Sequence, residues 1–125
     1  MNHQGLDAIN VRFPQFRAVF TPPDPGASEV VLSISGDVAD EGAACLFKEI
    51  EAAILSRPML VSLVVDLSEL RYASSTAIGG LMSLYGLALR KEISFCVANP
   101  SKQLVSLFSL LGLSSFLPMA PRGSP

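Results

Sequence analysis

The sequence predicts one α/β domain. Its mixed β-sheet opens with a hairpin, continues in largely parallel strands and is packed by about three to four helices. Three observations carry this expectation. The chain has 125 residues, which suits a single core. Half of its residues are hydrophobic and 16% are charged, a composition that folds rather than staying extended in solvent. Beyond an opening pair of strand patterns, strand and helix periods alternate in the order β-β-α-β-α-β-α, which implies parallel strands covered by helices.

Residues 1–10 read as a flexible N-terminal tail, 11–118 as the domain and 119–125 as a flexible C-terminal tail. The first strand is expected over Phe16–Phe20, with Pro14 marking an edge or a strand start. "TPPDPGAS" is a dense turn signal. "EVVLSISG" then alternates Val30, Leu32 and Ile34 against Val31, Ser33 and Ser35, the pattern of a half-buried hairpin partner. After Gly36 the period changes: Ala43, Leu46, Phe47, Ile50 and Ile54 form one helical stripe, with Asp40 as its cap and Glu41 at the positive end of the dipole. Pro58 ends that helix.

"LVSLVVDL" is almost continuously apolar and reads as a central strand buried on both faces. The second helix has Ile78, Leu81, Met82, Tyr85 and Leu89 as its core stripe. Leu84 and Leu87 lie off the stripe, so the helix is either deeply buried or offers a surface to a partner, for which one of the two would supply the apolar centre. Gly79-Gly80 reads as close packing of this helix on the sheet. "ISFCVAN" is another buried strand. In the last helix Asn99 caps, Pro100 takes the first position, Leu104, Leu107, Phe108 and Leu111 face the core, and Gly112 is a left-handed stop. "SSFLPMA" can add a short strand or a docking tail.

Most chemistry is excluded by what the chain lacks. His3, the only histidine, falls in the expected tail, so neither a Ser-His-Asp nor a Cys-His arrangement has a base in the core. There is no phosphate-binding GxxxxGK[ST] loop and no GxGxxG after a strand. Cys45 and Cys96 read as free, buried thiols in a reducing compartment, and with His3 they cannot make a zinc site. Asp66 reads as a strand-end residue accepting backbone hydrogen bonds. No enzyme activity, cofactor or metal is therefore expected. A net charge of -2 without a basic block speaks against nucleic acid. The N-terminus lacks a signal-peptide pattern, and no apolar run approaches a membrane span, so a cytoplasmic protein without direct membrane insertion is expected.

The one stretch that invites a function is "YASSTAIGG". Ser74, Ser75 and Thr76 sit where a strand gives way to a helix. A hydroxyl there can cap the helix. The same place, with free N–H groups and the positive end of the dipole, also accommodates an added phosphate.

"VVDLSELRYASSTAIGGLMSL" followed by "ISFCVANPSKQLVSLFSLLGLSSFL" resembles the STAS domain, the fold of bacterial anti-sigma factor antagonists. The likeness spans about Val11 to Leu117. It comprises the "GD" after the hairpin strand, the strand ending in "DLSEL", the serine-bearing helix start, the later "NP" and the final "GL". The resemblance implies a partner-binding switch. The family's phosphorylation motif, approximately D-S-S/T-G-L/I-G, places Ser75 at the phosphoacceptor position, with Ser74 and Thr76 as alternates. An anti-sigma factor that is also a serine kinase would modify it and a PP2C-type phosphatase would restore it. The unmodified form would sequester the anti-sigma factor and so regulate transcription. The partner surface implied is Asp37, Asp40, Arg71, Ser74, Ser75, Thr76, Ile78 and Gly79, and a homodimer is left open.

The sequence departs from the pattern at two positions. Ser74 stands where the family has aspartate. The early G-E-L-D becomes Gly36-Asp37-Val38-Ala39, with Asp40 one residue later, either substituting or only capping its helix. The alternative reading is a non-phosphorylated STAS subunit of a lipid or anion transporter, or of a multi-domain signalling scaffold.

Overall fold

A computed structural model of the chain describes residues 4–24, 26–110, 112 and 119–120. Among these residues the chain forms four helices and six strands. The opening segment is where the expectation fails first. Residues expected in a tail form α1 (Gln4–Arg12), with Leu6 and Ile9 buried in the core. A helix this short is marginal alone; its docking supplies what its propensity does not. β1 (Phe16–Thr21) and β2 (Glu29–Val38) make the expected antiparallel hairpin, with Phe16 opposite Gly36 and Thr21 opposite Val31.

α2 (Asp40–Leu55) buries the predicted stripe of Ala43, Leu46, Phe47, Ile50 and Ile54. Its expected cap is absent. Ala39, extended at φ -149° and ψ 155°, occupies the N-cap position without a side-chain bond. Asp40 follows at φ 53°, a left-handed conformation that aspartate tolerates better than most residues. Beyond α2, Arg57 is buried. It donates to the Asp24 carbonyl at 3.0 Å and lies 4.9 Å over the Phe20 ring, pinning the turn between β1 and β2. Burial lowers its pKa while the charge of Asp24 acts to raise it. The guanidinium remains protonated in any case.

β3 (Ser62–Asp66) is central, parallel to β2 on one side and to β5 (Ser94–Ala98) on the other. It is not buried on both faces. Leu63 and Val65 join Val30, Leu32, Phe95 and Val97 on the helix-covered face, whereas Val64, Asp66 and Cys96 lie on the half-exposed opposite face. Cys45 and Cys96 are free but only partly buried.

β4 (Leu70–Ala73), absent from the expected order of elements, pairs in parallel with the last part of β2. A further strand, β6 (Met119–Ala120), pairs in parallel with β5; it is the short strand that "SSFLPMA" offered, and it takes the first two residues of the expected C-terminal tail into the sheet. The sheet order is β1-β2-β3-β5-β6, with β4 on β2.

α3 (Ser75–Arg90) packs against α2 and the sheet and buries Ala77, Ile78, Leu81, Leu84, Leu87 and Ala88. This corrects the expected stripe: Leu84 and Leu87 are core residues, Met82 and Tyr85 are half-buried, and Leu89 is exposed. Gly80 is the close contact, made to α2 rather than to the sheet, since a Cβ there would meet the Phe47 side chain; a Cβ at Gly79 would meet nothing.

α4 (Lys102–Leu110) buries Leu104 and Phe108, with Leu107 partly buried. Its cap is Ser101, whose Oγ accepts Leu104 N–H at 3.1 Å, rather than Asn99. Gly112 has the expected left-handed φ of 74°. Leu111 and residues 113–118 lie outside the described residues.

Candidate functional site

The site is built where β2 and β4 run out together. At the junction of Gly36 and Asp37 the register shifts, and the last residues of β2 pair with β4, Asp37 with Tyr72 and Val38 with Ala73. Ser74 N–H then donates to the Val38 carbonyl at 3.0 Å. This bond holds the start of α3 against the turn into α2. Asp37, next to Val38 on β2, and Arg71, three residues before Ser74 on β4, form an exposed ion pair with Arg71 Nε 3.4 Å from Asp37 Oδ1. Such a solvated pair adds little stability; its consequence is a fixed arrangement of charge at the surface.

The hydroxyl cluster divides by role. Ser74, extended at φ -75° and ψ 172°, is the N-cap, and its Oγ accepts Ala77 N–H at 3.2 Å. Ser75 is the first helical residue and Thr76 the second; both are exposed, and neither side chain makes a hydrogen bond among the described residues. The two readings of the cluster thus fall on different residues, the cap on Ser74 and the accessible hydroxyls on Ser75 and Thr76. Ser74→Ala should cost about 1 kcal/mol of stability, measured by urea unfolding, because it removes the cap. Ser75→Ala should leave the unfolding midpoint nearly unchanged.

The structure brings Asp37, Arg71, Ser74, Ser75, Thr76 and Gly79 to one exposed end of the domain. Ile78 does not join them. It is 6% exposed and faces the core, so it offers a partner almost nothing of its side chain. Asp40 is exposed at the start of α2. Tyr72, which sequence reasoning did not single out, is 56% exposed on β4 next to Arg71. Leu70, Arg71 and Tyr72 with Ser101, Gln103 and Leu107 line a shallow groove of about 130 Å³ between β4 and α4. The signal for Tyr72 was available only to a reader who had recognised "LRYA" as a strand.

Asp66, at the end of β3, accepts Ser68 N–H at 3.0 Å and Asn99 Nδ2–H at 3.2 Å. That is the structural role expected of it. Among the described residues no cluster of His, Cys, Asp and Glu could hold a metal ion, and no helix is long and apolar enough to cross a membrane.

The α/β architecture, with an antiparallel β1–β2 pair and parallel later strands covered by helices, is the SpoIIAA-like fold. The chain belongs to the STAS family: the family model described as "Mlab, STAS domain" matches residues 24–118. Among solved structures, the anti-sigma factor antagonist SpoIIAA in its unphosphorylated form aligns with a TM-score of 0.68 at 15% identity, covering 84% of this chain and 89% of that one. The Bacillus cell fate determinant SpoIIAA in the phosphorylated form aligns with a TM-score of 0.63 at 16% identity, covering 86% and 92%. An anti-sigma factor antagonist from Mycobacterium paratuberculosis aligns with a TM-score of 0.67 at 24% identity, covering 86% and 87%. At these identities the likeness is one of fold. No curated protein matches the sequence.

Proposed function

We propose that this chain is an anti-sigma factor antagonist, a cytoplasmic protein–protein switch set by phosphorylation of Ser75. The observation that carries the reading is the division of labour at the start of α3. Ser74 caps the helix, which leaves the Ser75 hydroxyl exposed and without a structural task. A phosphate on Ser75 would sit at the positive end of α3, where the fold tolerates it. The modification then acts on the partner rather than on the domain. The partner in this reading is an anti-sigma factor with serine-kinase activity, and a PP2C-type phosphatase resets the site. Leu84 and Leu87 cannot provide the apolar centre of the interface, because both are buried. Tyr72, exposed between the Asp37–Arg71 pair and the groove, is the aromatic anchor that such interfaces favour.

A second reading keeps the fold without the switch: an unphosphorylated STAS subunit docked on a transporter. Two observations favour it. The matching family model carries the Mlab description. Ser74 and Ala39 stand where the antagonist pattern has carboxylates. Mass spectrometry of the protein isolated from its own cells, growing and stressed, separates the two. A phosphate on the Ser75 peptide that changes with condition is the expected result. An unmodified peptide under every condition, with transport proteins co-purifying, would overturn the switch in favour of the subunit.

A further inference from the structure

Among the described residues β4 pairs only with β2, so one of its edges has no strand beside it. Two bonds fix which peptide groups lie on that edge. Gly36 N–H donates to the Glu69 carbonyl at 3.1 Å, and Ser74 N–H donates to the Val38 carbonyl at 3.0 Å. Gly36 is opposite Leu70 and Val38 opposite Ala73. In a parallel ladder such bonds flank Leu70 and Ala73, whose own N–H and carbonyl groups therefore point away from β2. Leu70 N–H is taken by the Leu67 carbonyl at 3.1 Å. The Leu70 carbonyl and the N–H and carbonyl of Ala73 meet no hydrogen-bond partner among the described residues. The groove of about 130 Å³ between β4 and α4 follows this edge. Leu70, Arg71, Tyr72 and Ala73 all line it, although successive residues of a strand point to opposite faces. A groove that touches four strand residues in a row runs along the backbone, not across one face.

We propose that this groove takes an extended, acidic segment of a protein partner, added to the sheet as a strand beside β4. In this mode main-chain hydrogen bonds supply affinity and alternate side chains supply specificity. The free groups of Leu70 and Ala73 require two donors and one acceptor. An extended backbone has them to offer, whereas the peptide groups of a helix are bonded within it. Charge selects an acidic segment. Arg71 is the one charged residue lining the groove, Lys102 is exposed at the start of α4, and no carboxylate lines it. The inner wall selects a small apolar residue. Leu70, Ala73 and Leu104 also line an apolar cavity of about 20 Å³, shared with Ile34, Phe47 and Phe108 among others. That is room for about one water-sized group, so a side chain as small as alanine or valine enters it. Neither Ser75 nor Thr76 lines the groove, and the inference does not rest on phosphorylation of Ser75.

The test selects peptides from a random displayed library on the folded full chain and measures their Kd by fluorescence anisotropy. Enriched sequences should carry alanine or valine with aspartate or glutamate close by. N-methylation of the peptide backbone around that apolar residue removes the donors to the Leu70 and Ala73 carbonyls and should weaken binding at least about tenfold. Gln103, exposed on the α4 wall of the groove, gives a sign test. Gln103→Glu should weaken the acidic peptides and Gln103→Lys should tighten them, each by about threefold or more, with circular dichroism unchanged in both. A library that yields no binder would overturn the proposal. So would binders that are basic, or whose affinity ignores N-methylation and the charge at Gln103, because neither would lie as a strand beside β4.

Discussion

Gly36→Ala is expected to lower stability by about 2–4 kcal/mol, the sum of left-handed backbone strain and overpacking. Gly36 has φ 89°, outside the range that L side chains ordinarily adopt. A Cβ at this position would also overlap the Gln15 carbonyl oxygen and come within 3.0 Å of Phe16 Cα. These are backbone atoms at the start of β1 and in the residue before it, so no flexible side chain can move aside. The residue sits where β2 changes partner: Gly36 N–H donates to the Glu69 carbonyl at 3.1 Å, and Asp37 N–H donates to the Gln15 carbonyl at 2.9 Å. Relief of the clash must therefore displace β1, the turn before β4, or both. Either movement carries Asp37 away from Arg71. Urea unfolding and a partner-binding titration should both register the change. A loss of stability below about 0.5 kcal/mol, the range of an ordinary surface substitution, would refute this account of the glycine.

The parts of the fold that were legible in the sequence are those whose burial is periodic and whose partners are many. The stripe of α2 and the alternation of β2 are of this kind, because each residue repeats the same instruction. β4 was not legible. Four residues, one of them arginine and two of them exposed, carry no strand pattern of their own. They are a strand because β3 ends at Asp66, opposite Ser33, which leaves the last part of β2 to pair with them, with a register shift between Gly36 and Asp37. α1 was missed for a related reason. With two core residues in nine, its helicity comes from docking on β1 and α2, contacts that no local window contains.

For α3 the element was evident and its orientation was not. A helix with Leu81, Leu84, Leu87 and Leu89 is apolar on more than one face, so the spacing of its apolar residues does not single out which of them are buried. α2 and the sheet select it together, and they take Leu84 and Leu87 into the core while leaving Leu89 outside. The candidate site was more legible than the packing beneath it, because a serine cluster between strand and helix is a local feature. What the sequence left undivided was which serine caps. The geometry assigns the cap to Ser74, and with it changes the meaning of the departure from the family pattern. A residue that replaces an acidic group here still performs the capping that a carboxylate would perform.

Ser75→Asp is expected to weaken partner binding by at least about 100-fold, or roughly 2.8 kcal/mol, while leaving the fold as stable or more so. The two halves of this expectation have opposite signs and the same cause. In the isolated domain the new carboxylate lies in the first turn of α3, where the helix dipole favours negative charge by about 0.3–1 kcal/mol. In the complex the same carboxylate must be desolvated against a surface that accepted a neutral hydroxyl, beside the carboxylate of Asp37, whose own counter-charge is Arg71. Aspartate supplies one charge where phosphoserine supplies nearly two, so the variant gives a lower bound on the effect of modification. Under the proposed function, isothermal titration with the kinase-type anti-sigma factor measures the first half, and urea unfolding measures the second. Ser75→Ala should bind as the parent does and resist inactivation by the kinase. If Ser75→Asp binds like the parent while remaining folded, the start of α3 is not the contact surface, and the serine is a bystander on a domain that docks elsewhere. If binding and stability fall together, Ser75 acts through the fold, which the exposure of its side chain and the assignment of the cap to Ser74 argue against.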